Sequence, residues 1–261
     1  MSLISELFSD IFAQQDNWLT RLDPRTKLVV ALVTLLCLMF SRNPVFPLFI
    51  VVLAVTSALA VKVPVRLVVL RLSAPLGVAF IVLVLQSVMT GSTPIANLQL
   101  LGHKITVTQE GWHSGRLIAS RVLGSVSVLL LLGMVTPAHR LFHASRWLGM
   151  PKAWLEIAFL MYRYIFVLLD LVADMMVAQR VRLGYSSVRK AWTSAGIVGG
   201  TVIVRSMDQA VRTHEAMLLR GYRGEIPFET VPALARRQWW TMGVAGAVVL
   251  IAFGLTQVRL G

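Results

Sequence analysis

The sequence predicts an all-α integral membrane protein with about five transmembrane helices and two long helices held on its basic, cytoplasmic side. Three observations carry this expectation. Of 261 residues, 56% are hydrophobic and 14% charged, where a soluble domain carries about 25% charged residues. Apolar runs recur at the length of about 20 residues that a crossing helix needs. The charge is one-sided: 25 Lys and Arg face 12 Asp and Glu, a net +13, and in a membrane chain such an excess collects in cytoplasmic loops. Nucleic-acid binding is set aside, because no basic patch is interleaved with base-stacking aromatics on a soluble module. Cys37 is the single cysteine, which excludes an intramolecular disulfide and a thiolate metal cluster. The start lacks the basic region and small-residue cleavage site of a signal peptide, so insertion through the chain's own spans is expected.

Residues 3–12 place Leu3, Ile4, Leu7, Phe8, Ile11 and Phe12 on one helical face and Glu6 and Asp10 on another, a short helix for the membrane surface or for the protein's own. Asp23 then caps a helix whose first turn opens at Pro24. From Leu28 to Val61 the chain is apolar apart from Ser41-Arg42-Asn43-Pro44 and Pro47, which reads as two spans joined by a tight turn. Lys62, Arg66 and Arg71 return it to the basic side. A third span runs from Leu72 to Thr90. The segment 91–115 carries only Lys104 and Glu110 as ionised groups and is therefore placed outside. Alternation from Leu98 to Thr108 around Gly102-His103 predicts a small β-hairpin there. His103 and His113 have no carboxylate or cysteine companions, and a surface-loop role is favoured over metal ligation. The fourth span, Leu117 to Val135, carries Arg121 near its outer end, where a structural role is expected. Thr136-Pro137 opens a short amphipathic helix, with Thr136 as its cap, and Gly149-Met150-Pro151 ends it.

Hydropathy alone would make 151–180 another span. However, Lys152, Glu156, Arg163, Asp170 and Asp174 recur at spacings of four and seven, a polar stripe along one side of a long helix. Each charge near the bilayer centre costs about 2.5–3.5 kcal/mol on the insertion scale. A crossing would also put residues 178–223 outside, with eight basic residues against Asp208 and Glu215. The helix over 151–184 is therefore expected to lie against the membrane without crossing it. A second long helix follows over 190–221, where Val204, Met207, Val211, His214 and Leu218 keep the 3-4-3-4 spacing of a seam between helices. Asp208 and Arg212 add an i,i+4 pair. A linker from Glu225 to Arg237 leads to Trp239-Trp240, an interfacial belt before a fifth span ending near Val258. This gives a cytoplasmic N-terminus, an external C-terminus and three stretches: 1–136 with the first four spans, 137–224 with the cytoplasmic helices, and 225–261 with the linker and last span.

Several chemistries are absent from the sequence. Gly196-Ile-Val-Gly-Gly-Thr201 lacks the lysine of a Walker motif, and HExxH, GxSxG and paired zinc-ligand patterns are missing. Acidic residues within the spans are essentially absent, which argues against an ion-coupled pump. What stands out is a repeated helix ending. Met217-Leu218-Leu219-Arg220-Gly221-Tyr222 closes the second long helix, and Val181-Arg182-Leu183-Gly184-Tyr185 closes the first. An arginine at a helix C-terminus offsets the partial charge there by about 0.3–1 kcal/mol, which alone would explain either one. Two similar tips on two long cytoplasmic helices suit a partner with two similar sockets, each offered a directional and permanently charged plug.

Leu22-Asp-Pro-Arg-Thr-Lys-Leu28, Gly111-Trp-His-Ser-Gly-Arg-Leu-Ile-Ala-Ser-Arg121, Thr136-Pro137, and Arg205-Ser206 continuing to Ala216-Met-Leu-Leu-Arg-Gly-Tyr-Arg-Gly224 resemble the transmembrane T component of energy-coupling factor transporters. The run from Arg180 to Lys190, the Arg205-Ser206 start and the Gly-Glu-Ile-Pro227 tail resemble its cobalt-type branch, CbiQ. The resemblance covers residues 20–258. It implies an L-shaped arrangement of spans and coupling helices, docked on two CbiO-like ATPase subunits through Val181-Arg182-Leu183 and Leu219-Arg220-Gly221. The first motif departs from the Ala-Arg-Gly pattern, its glycine falling one place later at Gly184. The resemblance further implies a CbiM-like substrate-binding membrane subunit, with a small CbiN-like accessory subunit as a further candidate. ATP-Mg would be held by the ATPases, with no cofactor, metal or catalytic residue in this chain, and the home would be a bacterial cytoplasmic membrane. A T component serving nickel or a vitamin-binding subunit is the near alternative, and an integral membrane enzyme the distant one.

Overall fold

The computed structural model describes residues 19, 22–61, 63–90, 94–100, 103–224 and 236–258. The expected surface helix over 3–12 and most of the 225–237 linker lie outside them. Eight helices and one hairpin are described: α1 (Pro24–Phe40), α2 (Val45–Ala60), α3 (Val65–Met89), β1 (Pro94–Leu100), β2 (His103–Thr108), α4 (Gln109–Val135), α5 (Ala138–Trp147), α6 (Lys152–Val181), α7 (Val188–Leu219) and α8 (Arg236–Val258). Among the described residues the fold is thus α-helical apart from the expected hairpin, which pairs antiparallel from Leu100 opposite His103 and starts earlier than expected, at Pro94. Two compact units are present: residues 1–144 with 233–261, and residues 145–232.

In the first unit, α3, α4 and α8 are long and apolar enough to cross a membrane. At 17 and 16 residues, α1 and α2 rise only about 25 Å each, just short of a hydrocarbon core of about 30 Å. The outward residues of these five helices, among them Met39 and Phe40 of α1, Val52 of α2, Phe80 of α3 and Ile251 of α8, are apolar and exposed, as a lipid-facing surface requires. Asp23 caps α1 as expected, its carboxylate accepting the Arg25 N–H at 2.9 Å with Pro24 in the first turn. The sequence-based start of the third span, Leu72, falls a full turn and more inside α3, because hydropathy reports the membrane-embedded part and Arg66 and Arg71 extend the helix beyond it. The same holds for α4, which begins at Gln109 rather than Leu117.

α3 and α4 pack through small residues spaced by four. A Cβ on Gly111 would overlap the carbonyl oxygens of Thr90 and Gln86 and the hydroxyl of Thr108, and one on Gly115 would stand 3.0 Å from the Leu83 carbonyl. Ala119, one turn further, is also buried. Small-xxx-small stripes let helices approach closely where lipid offers no hydrophobic drive for association. Gly124 does the same against Leu38 and Pro47, where α4 meets α1 and α2. The core of the unit is built there from Leu38, Phe46, Ile50, Val128 and Val249, with Phe46 and Phe253 edge to face at 5.3 Å.

Arg121 ties this bundle together. Its Nε donates to the Ser41 carbonyl at 3.1 Å and its Nη2 reaches the same oxygen, which caps the end of α1. Asn43 in the same turn donates to the Thr256 carbonyl of α8 at 3.2 Å. One guanidinium thus locks the α1–α2 turn where α8 also ends. Arg121→Leu is expected to lower stability by about 1–3 kcal/mol, because the carbonyl of a fully buried Ser41 loses its donor; a lowered unfolding temperature in mild detergent is the measurement.

The expected capping role of Thr136 is corrected. Its N–H bonds to the Leu132 carbonyl at 3.0 Å, which makes it the C-terminal end of α4. Its buried hydroxyl has no hydrogen-bond partner. α5 instead starts from the Pro137 carbonyl, which accepts from Arg140 and Leu141.

In the second unit, α6 and α7 are antiparallel neighbours joined by a short turn. Neither is among the helices apolar enough to cross a membrane, as the charged stripe of α6 predicts.

Candidate coupling tips and helix crossing

The two arginine-tipped ends have the same backbone construction. At the end of α6, Arg182 is the cap residue (φ −81°, ψ 13°), the Leu183 N–H bonds to the Arg180 carbonyl at 3.0 Å and the Gly184 N–H to the Gln179 carbonyl at 2.8 Å. At the end of α7, Arg220 is the cap residue (φ −88°, ψ 8°), the Gly221 N–H bonds to Leu218 at 2.9 Å and the Tyr222 N–H to Met217 at 3.0 Å. Both are Schellman endings, in which two nested bonds satisfy orphan helix carbonyls and the residue after the cap turns left-handed. Arg182 therefore corresponds to Arg220, Leu183 to Gly221 and Gly184 to Tyr222.

The displaced glycine of the first motif has a physical cause. The left-handed position is held by Leu183 (φ 55°), where α7 uses Gly221 (φ 83°). Gly184 is needed one place later: a Cβ there would collide with the Ser194 hydroxyl and come within 2.9 Å of the Gln179 carbonyl. Ser194 in turn donates to the Gly184 carbonyl at 3.0 Å, closing the turn onto the start of α7. A left-handed non-glycine residue costs about 1–2 kcal/mol. Leu183→Gly is thus expected to stabilise the chain by on the order of 1 kcal/mol, read as a raised unfolding temperature, since its side chain is 68% exposed and loses little packing.

Both tips project into solvent with apolar flanks: Val181 is 80% and Leu219 90% exposed, and Arg182 and Arg220 are exposed as well. Neither arginine forms a salt bridge among the described residues. Ser194 holds the turn of the first tip beside the start of α7, and a straight helix rises about 39 Å from there to Arg220, so the two tips lie at opposite ends of α7.

The expected helix seam differs from the observed one. Val204, Met207, Val211 and Leu218 are more than half exposed, and His214 is exposed too. α7 instead turns Ser194, Val198, Gln209, Thr213 and Met217 inward, a stripe displaced around the helix from the apolar one. Polar contacts make the crossing: Thr213 Oγ1 and the Tyr164 hydroxyl share a bond of 2.8 Å, and the Tyr222 hydroxyl donates to Glu156 at 3.2 Å. Tyr222, directly after the second tip, thereby anchors that tip to the start of α6. Sequence reasoning missed both tyrosines as positioning residues; Tyr222's place after Arg220-Gly221 was the available signal. Arg212 reaches the Asp208 backbone carbonyl at 3.4 Å, so this pair meets through the main chain. Arg163, Arg212 and Arg220 line one groove of about 590 Å³ between the helices.

Among the described residues no three His, Cys, Asp or Glu side chains gather into a metal-binding group, and His113 is exposed. A family model described as cobalt transport protein, CbiQ, matches residues 15–230. An uncharacterized protein of Methanocaldococcus jannaschii is 31% identical over 211 residues, 80% of this chain and 79% of its own. A putative fused cobalt transport protein CbiMQ of Methanocorpusculum labreanum is 28% identical over 204 residues, which cover 76% of this chain and 34% of the fused one. The cobalt transport protein CbiQ of Rhodobacter capsulatus is 35% identical over 95 residues, 36% of this chain and 39% of its own. With apolar helices of crossing length and a family match over most of its residues, this multi-pass membrane chain belongs to the CbiQ family of cobalt transport proteins.

Proposed function

We propose that this chain is the transmembrane coupling (T) subunit of an energy-coupling factor importer for cobalt ions. The observation that carries the reading is the pair of matching arginine-capped ends, exposed, apolar-flanked and set at opposite ends of α7. Two cytoplasmic ATPase subunits bind ATP-Mg, and their closure moves the two tips; this chain hydrolyses nothing. Arg182 and Arg220 each enter an acidic groove of one ATPase, with Val181, Leu183, Gly184, Leu219 and Gly221 shaping the contact. α6 and α7 pass the movement to a separate substrate-binding membrane subunit, which reorients and releases cobalt inside. The exposed strip of Val204, Met207, Val211, His214 and Leu218 serves as an apolar face for that transfer. The fused CbiMQ relative, whose name joins an M and a Q protein, supports a CbiM-like partner. In this arrangement α6, α7 and the N-terminus face the cytoplasm, as the eight basic residues over 178–223 favour.

Affinity purification in mild detergent, with identification of co-purifying subunits and cobalt uptake by the reconstituted assembly, tests the reading. An ATPase pair and a small metal-binding membrane protein are expected. Cobalt uptake by this chain reconstituted alone, without ATP, would overturn it.

A further inference from the structure

Resting on the coupling role proposed above, we infer that the groove between α6 and α7 beside Arg220 receives an acidic segment of the ATPase docked at that tip. Its carboxylates would be spaced over about 12 Å. The groove has a volume of about 590 Å³ and lies within the second unit. Arg212, Ala216 and Arg220 follow one another at intervals of four along its α7 wall. The two arginines therefore share a face two turns apart, about 12 Å by helix rise. Arg163 enters the same groove from α6. Tyr164 and Thr213, bonded hydroxyl to hydroxyl at 2.8 Å, join the two walls within it, so its width is set before anything enters.

The three guanidiniums keep most of their donors for a partner, each having five N–H groups. Arg212 gives one of them to the Asp208 carbonyl at 3.4 Å, and Arg163 lies over the Tyr164 ring at 5.9 Å. Among the described residues no carboxylate lines the groove, and Glu156 is buried with the Tyr222 hydroxyl donating to it. The undescribed stretch of this unit contributes two acids, Glu225 and Glu229. Together they would match two of the three cations, and the groove would stay net positive. Leu160, Ala216 and Met217 give the same groove an apolar wall. A free phosphate or a lipid headgroup would leave that wall bare, whereas a protein segment carrying acidic and apolar side chains matches both parts. Arg220 also makes the groove continuous with the docking tip. Guanidinium forks take carboxylates through two parallel bonds, which would fix the register of the segment.

The test titrates the ATPase pair that co-purifies with the unaltered chain back onto full-length variants in phosphatidylcholine nanodiscs. Arg163→Gln with Arg212→Gln is expected to weaken binding about tenfold or more, the worth of one charge-assisted hydrogen bond, and to flatten its salt dependence. Lysine at both positions should recover part of the loss, because the charge returns without the fork. Both arginines are exposed, so helical circular dichroism should be unchanged. A photoreactive methionine analogue at Met217 should link to the ATPase. Binding lost on Arg182→Ala with Arg220→Ala but unchanged by Arg163→Gln with Arg212→Gln would overturn the groove's role and leave the coupling role standing. Recruitment of no ATPase by the unaltered chain would overturn both. A lysine pair no better than the glutamine pair, or a link from position 217 to residues 225–235 or to lipid in place of the ATPase, would also overturn the groove's role.

Discussion

Replacing Arg182 and Arg220 together by alanine is expected to abolish cobalt uptake by the assembled transporter while leaving the chain folded and inserted. Within the chain each arginine offsets only the partial charge of its helix end, about 0.3–1 kcal/mol, and the nested backbone bonds that build both ends involve no side chain. In an ATPase groove each would form a desolvated, charge-assisted pair, where losing one partner costs about 2–5 kcal/mol. Each single replacement should therefore weaken ATPase recruitment by about thirtyfold or more, and the double one should leave too little complex to couple. Lysine at either position should rescue only in part, since its point charge lacks the directional fork of a guanidinium. Uptake in proteoliposomes, with the recovered ATPase quantified, makes the measurement. Normal uptake by the double variant would sink the coupling mechanism, whatever subunits co-purify.

Gly111→Ala is expected to be among the most damaging single-methyl changes in the spans. Its Cβ would overlap the backbone carbonyls of Gln86 in α3 and of Thr90, the cap of that helix, and the Thr108 hydroxyl, which is itself bonded to the Thr90 and Ser87 carbonyls. Backbone at the end of a packed helix cannot swing aside as a side-chain tip does. Overpacking of this kind costs about 1–3 kcal/mol and occasionally more, a large part of a total stability of about 5–15 kcal/mol. Gly133→Ala is the control: nothing stands within 4 Å of a Cβ there, and alanine is favoured over glycine in a helix by up to about 1 kcal/mol. The two variants should move the unfolding temperature in mild detergent in opposite directions. Similar behaviour would show that α3 and α4 are not held by the stripe of Gly111, Gly115 and Ala119.

Much of this protein follows from its sequence alone. The apolar runs, the turn at Ser41 to Pro44, the alternation leading to Thr108 and the cap at Asp23 all correspond to described elements. The stripe from Lys152 to Asp174 kept α6 from being read as a span, because several charges along one helix are incompatible with a lone crossing of the bilayer. The stripe of Gly111, Gly115 and Ala119 was not read from the sequence; the packing of α4 on α3 shows what it serves.

Other features were decided by tertiary structure. Hydropathy marks how much of a helix prefers lipid, so it missed the first turns of α3 and α4, which continue beyond that zone through ordinary backbone hydrogen bonds. Apolar spacing on α7 pointed to Val204, Met207, Val211, His214 and Leu218 as the seam, yet α6 meets the face carrying Gln209, Thr213 and Met217. Periodicity reports that a face prefers burial without saying what covers it, and here hydroxyl contacts with Tyr164 set the crossing within the chain. The register of the first tip likewise rests on a contact ten residues away. Ser194 lies so close to Gly184 that only glycine fits, and the left-handed turn therefore falls on Leu183. Which residue types close each helix was written in the sequence; their alignment into two equivalent tips depended on the fold, because a collision across the α6–α7 turn decides where the glycine must stand.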